Sequence, residues 1–152
     1  MKFLKAVRLD DSDARIHAGD GGAAEDGEWV VSGGYAVCDL AGGHRRPHCH
    51  CATTFVAVAS RRRCTIAEVV DIDDGDYADI QERLVQYFLN DLGAPSVEAA
   101  REAAQDECAY TADLASGFTD GVWITVRREP TTDGVGEHYS VFKRLLIGGH
   151  KL

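Results

Sequence analysis

No stretch of this sequence approaches the roughly 18 consecutive apolar residues that a membrane-spanning helix requires. Positive charge is also scarce: 16 Lys and Arg stand against 25 Asp and Glu, a formal net charge of −9. That balance argues against general attraction to DNA, RNA or anionic lipid. The opening "MKFLKAVRLDD" holds only a short apolar stretch, broken by Lys5 and Arg8, with no small-residue cleavage site. It is not expected to act as a secretory signal. Cysteine is present but unpatterned. The five residues (38, 49, 51, 64 and 108) are an odd number without the spacing of a small disulfide scaffold, so reduced thiols in the cytoplasm are expected. The sequence contains no GxSxG, HExxH or GxxxxGK[ST], and no GxGxxG follows a strand. The motif-borne hydrolase, zinc-protease and nucleotide-binding readings therefore fall away, and no catalytic residue is assigned.

What is present fits one ordinary domain over residues 1–152, with 45% hydrophobic residues available for a core. Charge is unevenly spread. From Ala41 to Arg63 there are five arginines and no acid, whereas from Cys64 to Asp113 thirteen acids face only Arg83 and Arg101. Such a dipole could mark a binding surface, but solvated helix faces beside one arginine-rich loop explain it more simply.

Residues 2–9 read as a strand, followed by a Gly/Asp/Ala loop. "EWVVSGGYAVCDL" (28–40) has apolar residues on both faces and is predicted as a central strand. Its Gly33-Gly34 implies a bulge or a close backbone approach. "TTFVAVAS" (53–60) and "CTIAEVVDI" (64–72) are further β-rich runs, paired across the arginines, with Thr54, Val56 and Val58 lining one face. Two helices come next. The first is capped by aspartates, carries Tyr77, Ile80, Leu84, Phe88 and Leu92 at helical spacing, and ends at Gly93. The second is capped by Ser96 and buries Ala100, Ala103, Ala104, Cys108, Thr111 and Leu114. "GVWITVRREP" and "GEHYSVFKRLL" then flank a hairpin turn at Asp133-Gly134. The order β-β-β-β-α-α-β-β gives an α+β fold: an antiparallel sheet with two consecutive helices packed on one face.

Two stretches invite functional readings. "DIDDGDYADIQE" (71–82) begins like a calcium loop, but Gly75 and Asp76 stand in reversed places, and helix capping accounts for the aspartates. "HRRPHCHC" (44–51) packs three histidines, two cysteines and two arginines into eight residues. Imidazole and thiolate suit zinc, and thiolates suit copper(I) as well, so His48, Cys49, His50 and Cys51 are the candidate metal ligands. In an extended strand, however, the two histidines point away from the two cysteines, and no second ligand pair follows at the usual spacing. The arginines offer a different chemistry, bidentate binding of a small anionic ligand. His17, His138 and His150 stand alone in sequence, and a surface or hydrogen-bonded strand position is the ordinary reading of His138.

"GEWVVSGGYAVCDL", "CTIAEVVDI" and the two helices through "AYTADLA" resemble a small uncharacterised bacterial family of about this length. The resemblance covers most of the chain outside 42–63, and none of its motifs is catalytic. It implies the same fold and a segment 42–63 that is neither Cys- nor His-rich. On that implication this segment departs from the pattern, as a GC-rich frame read out of register would. The expected function is that of a non-catalytic binding or accessory protein in the cytoplasm, without a cofactor and with a protein partner or small anionic ligand. The alternative is a zinc- or copper-dependent protein built on residues 44–51.

Overall fold

The computed structural model describes residues 1–9, 12–17, 22–37, 50–142, 146–147 and 150–151. Strand β1 (Lys2–Val7) is followed by a short helix, α1 (Ser12–Ile16), then by β2 (Trp29–Val31) and a 3₁₀ turn at Gly34–Ala36. A second 3₁₀ turn, Cys51–Thr53, leads into β3 (Phe55–Ala57), β4 (Arg63–Cys64) and β5 (Ile66–Asp71). Helices α2 (Asp74–Asn90) and α3 (Val97–Ser116) precede the hairpin of β6 (Trp123–Thr131) and β7 (Gly134–Phe142). Two-residue strands β8 (Leu146–Ile147) and β9 (His150–Lys151) form a separate two-stranded sheet.

The main sheet runs β4-β3-β2-β1-β5-β6-β7, with every pairing antiparallel. The predicted α+β fold and the order of its strands and helices are therefore observed, with β4 as the short return of β3 across Arg61 and Arg62. Register explains the core. Leu4 lies opposite Val30 and Val69, Val30 opposite Ala57, Phe55 opposite Cys64, and Ala67 opposite Ile124. Cross-strand partners share a face, and these residues form one buried cluster, joined by Ala115 at the end of α3. The other face contributes Phe3 and Val31, which pack with Ile80, Leu84, Val85 and Phe88 of α2 and Ala100, Ala104 and Cys108 of α3. The small side chains of α3 let it lie close to β1.

The sheet is curled. The rings of Phe55 on β3 and Tyr139 on β7 meet at 6.5 Å although their strands stand near opposite ends of the strand order. The β4 edge is covered by residues 22–24, through Ala24 N–H to Arg63 O at 2.9 Å and Arg63 N–H to Gly22 O at 3.2 Å.

Residues 28–40 do not form one strand. β2 stops at Val31 because Gly33 adopts φ 87°, and a Cβ there would lie 2.7 Å from the Val56 side chain. The glycine pair thus marks a close backbone approach, as expected, but it also turns the chain into the 3₁₀ turn. Tyr35 consequently packs edge-on against Phe88 at 5.0 Å instead of extending the strand face. In the β6–β7 hairpin Thr131 pairs with Gly134, so the loop is 132–133, one residue earlier than expected. Residues 50–63 are built into the sheet: Cys51, Thr54, Phe55, Val56, Ala57, Val58 and Arg63 are all buried. An out-of-register origin does not suit that part of the segment, whereas residues 42–49 lie outside the described residues.

Candidate functional site

Along β6 the alternation of the strand puts Ile124, Val126 and Arg128 on the same, inward face. Arg128 is thus carried into the interior, where its side chain is fully enclosed. Directly opposite on β7 is Glu137, which accepts from Arg128 Nε at 2.6 Å. Nη1 donates to the carbonyls of Cys51 (2.9 Å) and Thr54 (2.8 Å), and Nη2 donates to the Ser32 carbonyl. One guanidinium therefore gathers the end of β2, the 51–54 turn and β7.

Helix α3 supplies the next layer. Thr111 Oγ1 accepts from the Ser32 amide at 3.0 Å, and Glu107 Oε1 accepts from the Gly33 amide (2.9 Å) and the Ser32 hydroxyl (3.2 Å). Three residues further on, and so on the same side of the helix as Glu107, Tyr110 donates to Glu137 Oε1 at 2.7 Å and stands 3.2 Å from the Tyr139 hydroxyl. Between these groups opens a cleft of about 460 Å³ walled by Ser32, Gly34, Tyr35, Ala103, Asp106, Glu107, Tyr110 and Glu137. A second, more apolar hollow of about 220 Å³ shares Tyr35, Ala103 and Glu107 and continues along Phe88, Leu92 and Ala94. The two together are amphipathic, polar at the Glu137 end and greasy at the Phe88 end.

Burial shifts the ionisable groups here. It raises the Glu107 carboxyl above its ordinary range, against the lowering influence of the Gly33 amide, the Ser32 hydroxyl and Arg128. It also pushes the phenols of Tyr35, Tyr110 and Tyr139 up, with Glu107 or Glu137 adding to the effect. The Cys108 thiol beside Glu107 is pushed up to about 12, chiefly by burial.

Of the residues singled out in the sequence, those that are described lie elsewhere. His48 and Cys49 lie outside the described residues, as do His44, Arg45 and Arg46. His50 precedes the 51–53 turn with its ring edge-on to that of the buried His17, 6.0 Å between centroids, and His17 Nε2 is 3.2 Å from Thr65 Oγ1. Cys51 is fully buried. Among the described residues no three His, Cys, Asp or Glu side chains gather as a metal-ligand set. The arginine triplet is dispersed. Arg61 pairs with Asp91 and lies over the Tyr87 ring, Arg63 is buried with Nη1 3.1 Å from Thr54 Oγ1, and Arg62 lies near Gly22. His138 is a strand histidine 3.0 Å from Glu129. Asp73 caps α2 by accepting from the Asp76 amide at 2.7 Å.

No local sequence pattern marks the cleft, because its residues come from the end of β2, the turn after it, α3 and β7. One local signal existed: Arg128 at an inward position of β6 is a buried charge that must find partners.

Curled sheet, paired helices and amphipathic cleft define an α+β protein with an open, acid-walled hollow against α3. The chain belongs to DUF6505, a family of unknown function whose profile matches residues 1–146. No curated protein and no solved structure matches it. No helix among the described residues is long and apolar enough to cross a membrane.

Proposed function

We propose that the protein is a non-catalytic binding protein that takes a small organic molecule into the cleft between α3 and the 33–35 turn. The observation that carries this reading is the joining of a polar and an apolar hollow through the shared walls Tyr35, Ala103 and Glu107. Ligand sites are concave, mostly apolar, and fitted with a few fixed polar groups. Here those groups are held by their neighbours: Glu137 by Arg128 and Tyr110, and Glu107 by Ser32 and Gly33. The raised phenols stay protonated near neutral pH, which makes them hydrogen-bond donors and poor nucleophiles. Arg61 and Arg63 already have internal partners, which leaves these two less suited to an anionic ligand.

The test is a fragment screen of neutral, cationic and anionic compounds read by amide chemical shifts. Binders should perturb Ser32 to Tyr35 together with residues 103–110 of α3. A screen in which no fragment moves those amides overturns the reading.

A further inference from the structure

Resting on that reading of the cleft, we infer that its ligand is an organic cation, a primary amine carried on a short apolar chain. Among the described residues, the walls of the polar hollow carry three carboxylates, Asp106, Glu107 and Glu137, and no Lys, Arg or His. Among the described residues the positive group beside them is Arg128, whose side chain is fully enclosed and already donates to three carbonyls and Glu137.

Glu107 is the sharper feature. Both of its hydrogen bonds, from the Ser32 hydroxyl and the Gly33 amide, fall on Oε1. Oε2 of this cleft-lining side chain accepts no hydrogen bond among the described residues. A carboxylate that is partly desolvated, with one oxygen anchored and one uncommitted, is suited to receive an ammonium through a charge-assisted hydrogen bond. Tyr35 and Tyr110 line the same walls, and aromatic rings attract cations. The apolar hollow beyond Tyr35, with Phe88, Leu92 and Ala94, takes the hydrocarbon part. Neutral alcohols would forgo the charge-assisted contact, and carboxylates would meet the like charges of Asp106 and Glu107 beside a Glu137 already paired with Arg128.

The experiment compares n-hexylamine, n-hexanol and hexanoate, which share one chain and differ in head group, by calorimetry and by the amide shifts of Ser32, Gly33 and Gly34. At neutral pH the amine is charged. It is expected to bind roughly tenfold or more tightly than the alcohol, the equivalent of a charge-assisted hydrogen bond, while hexanoate binds most weakly. Glu107→Gln should remove most of the amine's advantage over hexanol. Asp106→Asn, on the exposed wall, should reduce the advantage by a smaller factor. Equal binding of amine and alcohol overturns the inference, as does an amine preference that survives Glu107→Gln. If other fragments shift the cleft amides while hexylamine does not, the inference fails and the binding reading stands. If no compound of any charge shifts them, both fail.

Discussion

Glu107 accepts from the Ser32 hydroxyl and the Gly33 amide and feels the charge of Arg128, yet its pKa is raised, so desolvation outweighs all three. The consequence for stability has a definite sign. A carboxyl whose folded pKa lies above its unfolded value, near ~4.3, holds its proton more firmly in the native state. Its contribution to stability therefore falls as pH rises from the unfolded pKa through the folded one, and the full cost persists above that window. Glu107→Gln keeps an acceptor oxygen for Ser32 and Gly33 and removes the charge. The charges facing it, Asp106 on its own helix, Arg128 from β6 and Glu137 from β7, remain in both proteins. Urea unfolding at a series of pH values should show the variant gaining stability relative to the native protein as pH climbs through the window. A difference that is constant with pH would mean that the Glu107 charge is not the source of the cost.

At the scale of the element, α2 shows how far periodicity carries. Its buried face is Ile80, Leu84, Val85 and Phe88, nearly the stripe that the sequence displays. Leu84→Ala and Phe88→Ala should each cost about 2–5 kcal/mol in chemical denaturation. Glu82→Ala should change little, since its bond to Arg101 joins two exposed side chains. Leu92→Ala belongs with Glu82: the helix ends at Asn90, and Leu92 is 52% exposed. Similar small losses at all four positions would show α2 to be wrongly oriented. Caps, apolar spacing and β-rich runs were legible because each is a local pattern. Val85 and the end of β2 were not. Val85 is buried only because the cluster against α2 draws on both the sheet and α3, and β2 ends where Gly33 meets Val56, a contact between separate strands. The candidate site was less legible still. The Cys/His run stood out by composition, whereas Glu107 resembled any helix-surface acid until α3 was laid beside Gly33.

For the whole molecule, what distinguishes a curled sheet from a flat one is the contact between its far strands, and here a large part of that contact passes through one side chain. Arg128 joins Glu137 on β7 to the carbonyls of Ser32, Cys51 and Thr54, while Phe55 and Tyr139 meet beside them in the core. A hydrophobic residue in its place would fill the volume but leave three carbonyls and a carboxylate without their donor. Removing one partner from a buried charged network typically costs about 3–5 kcal/mol, chiefly through the groups left behind. Arg128→Leu is expected to lose that much in urea unfolding. Arg128→Lys should fall between the two, because a single ammonium keeps the charge but cannot span all four acceptors. The loss should also be regional. Amide exchange should quicken around β3 and the 51–54 turn, while the β1–β5 ladder, which pairs over six residues and does not touch Arg128, keeps its protection until global unfolding. Should the leucine variant fail to fold, the lysine variant reports the same regional pattern. A loss below about 1 kcal/mol for leucine or lysine, or exchange that quickens equally in both regions, would show that the sheet holds its curl through core packing alone.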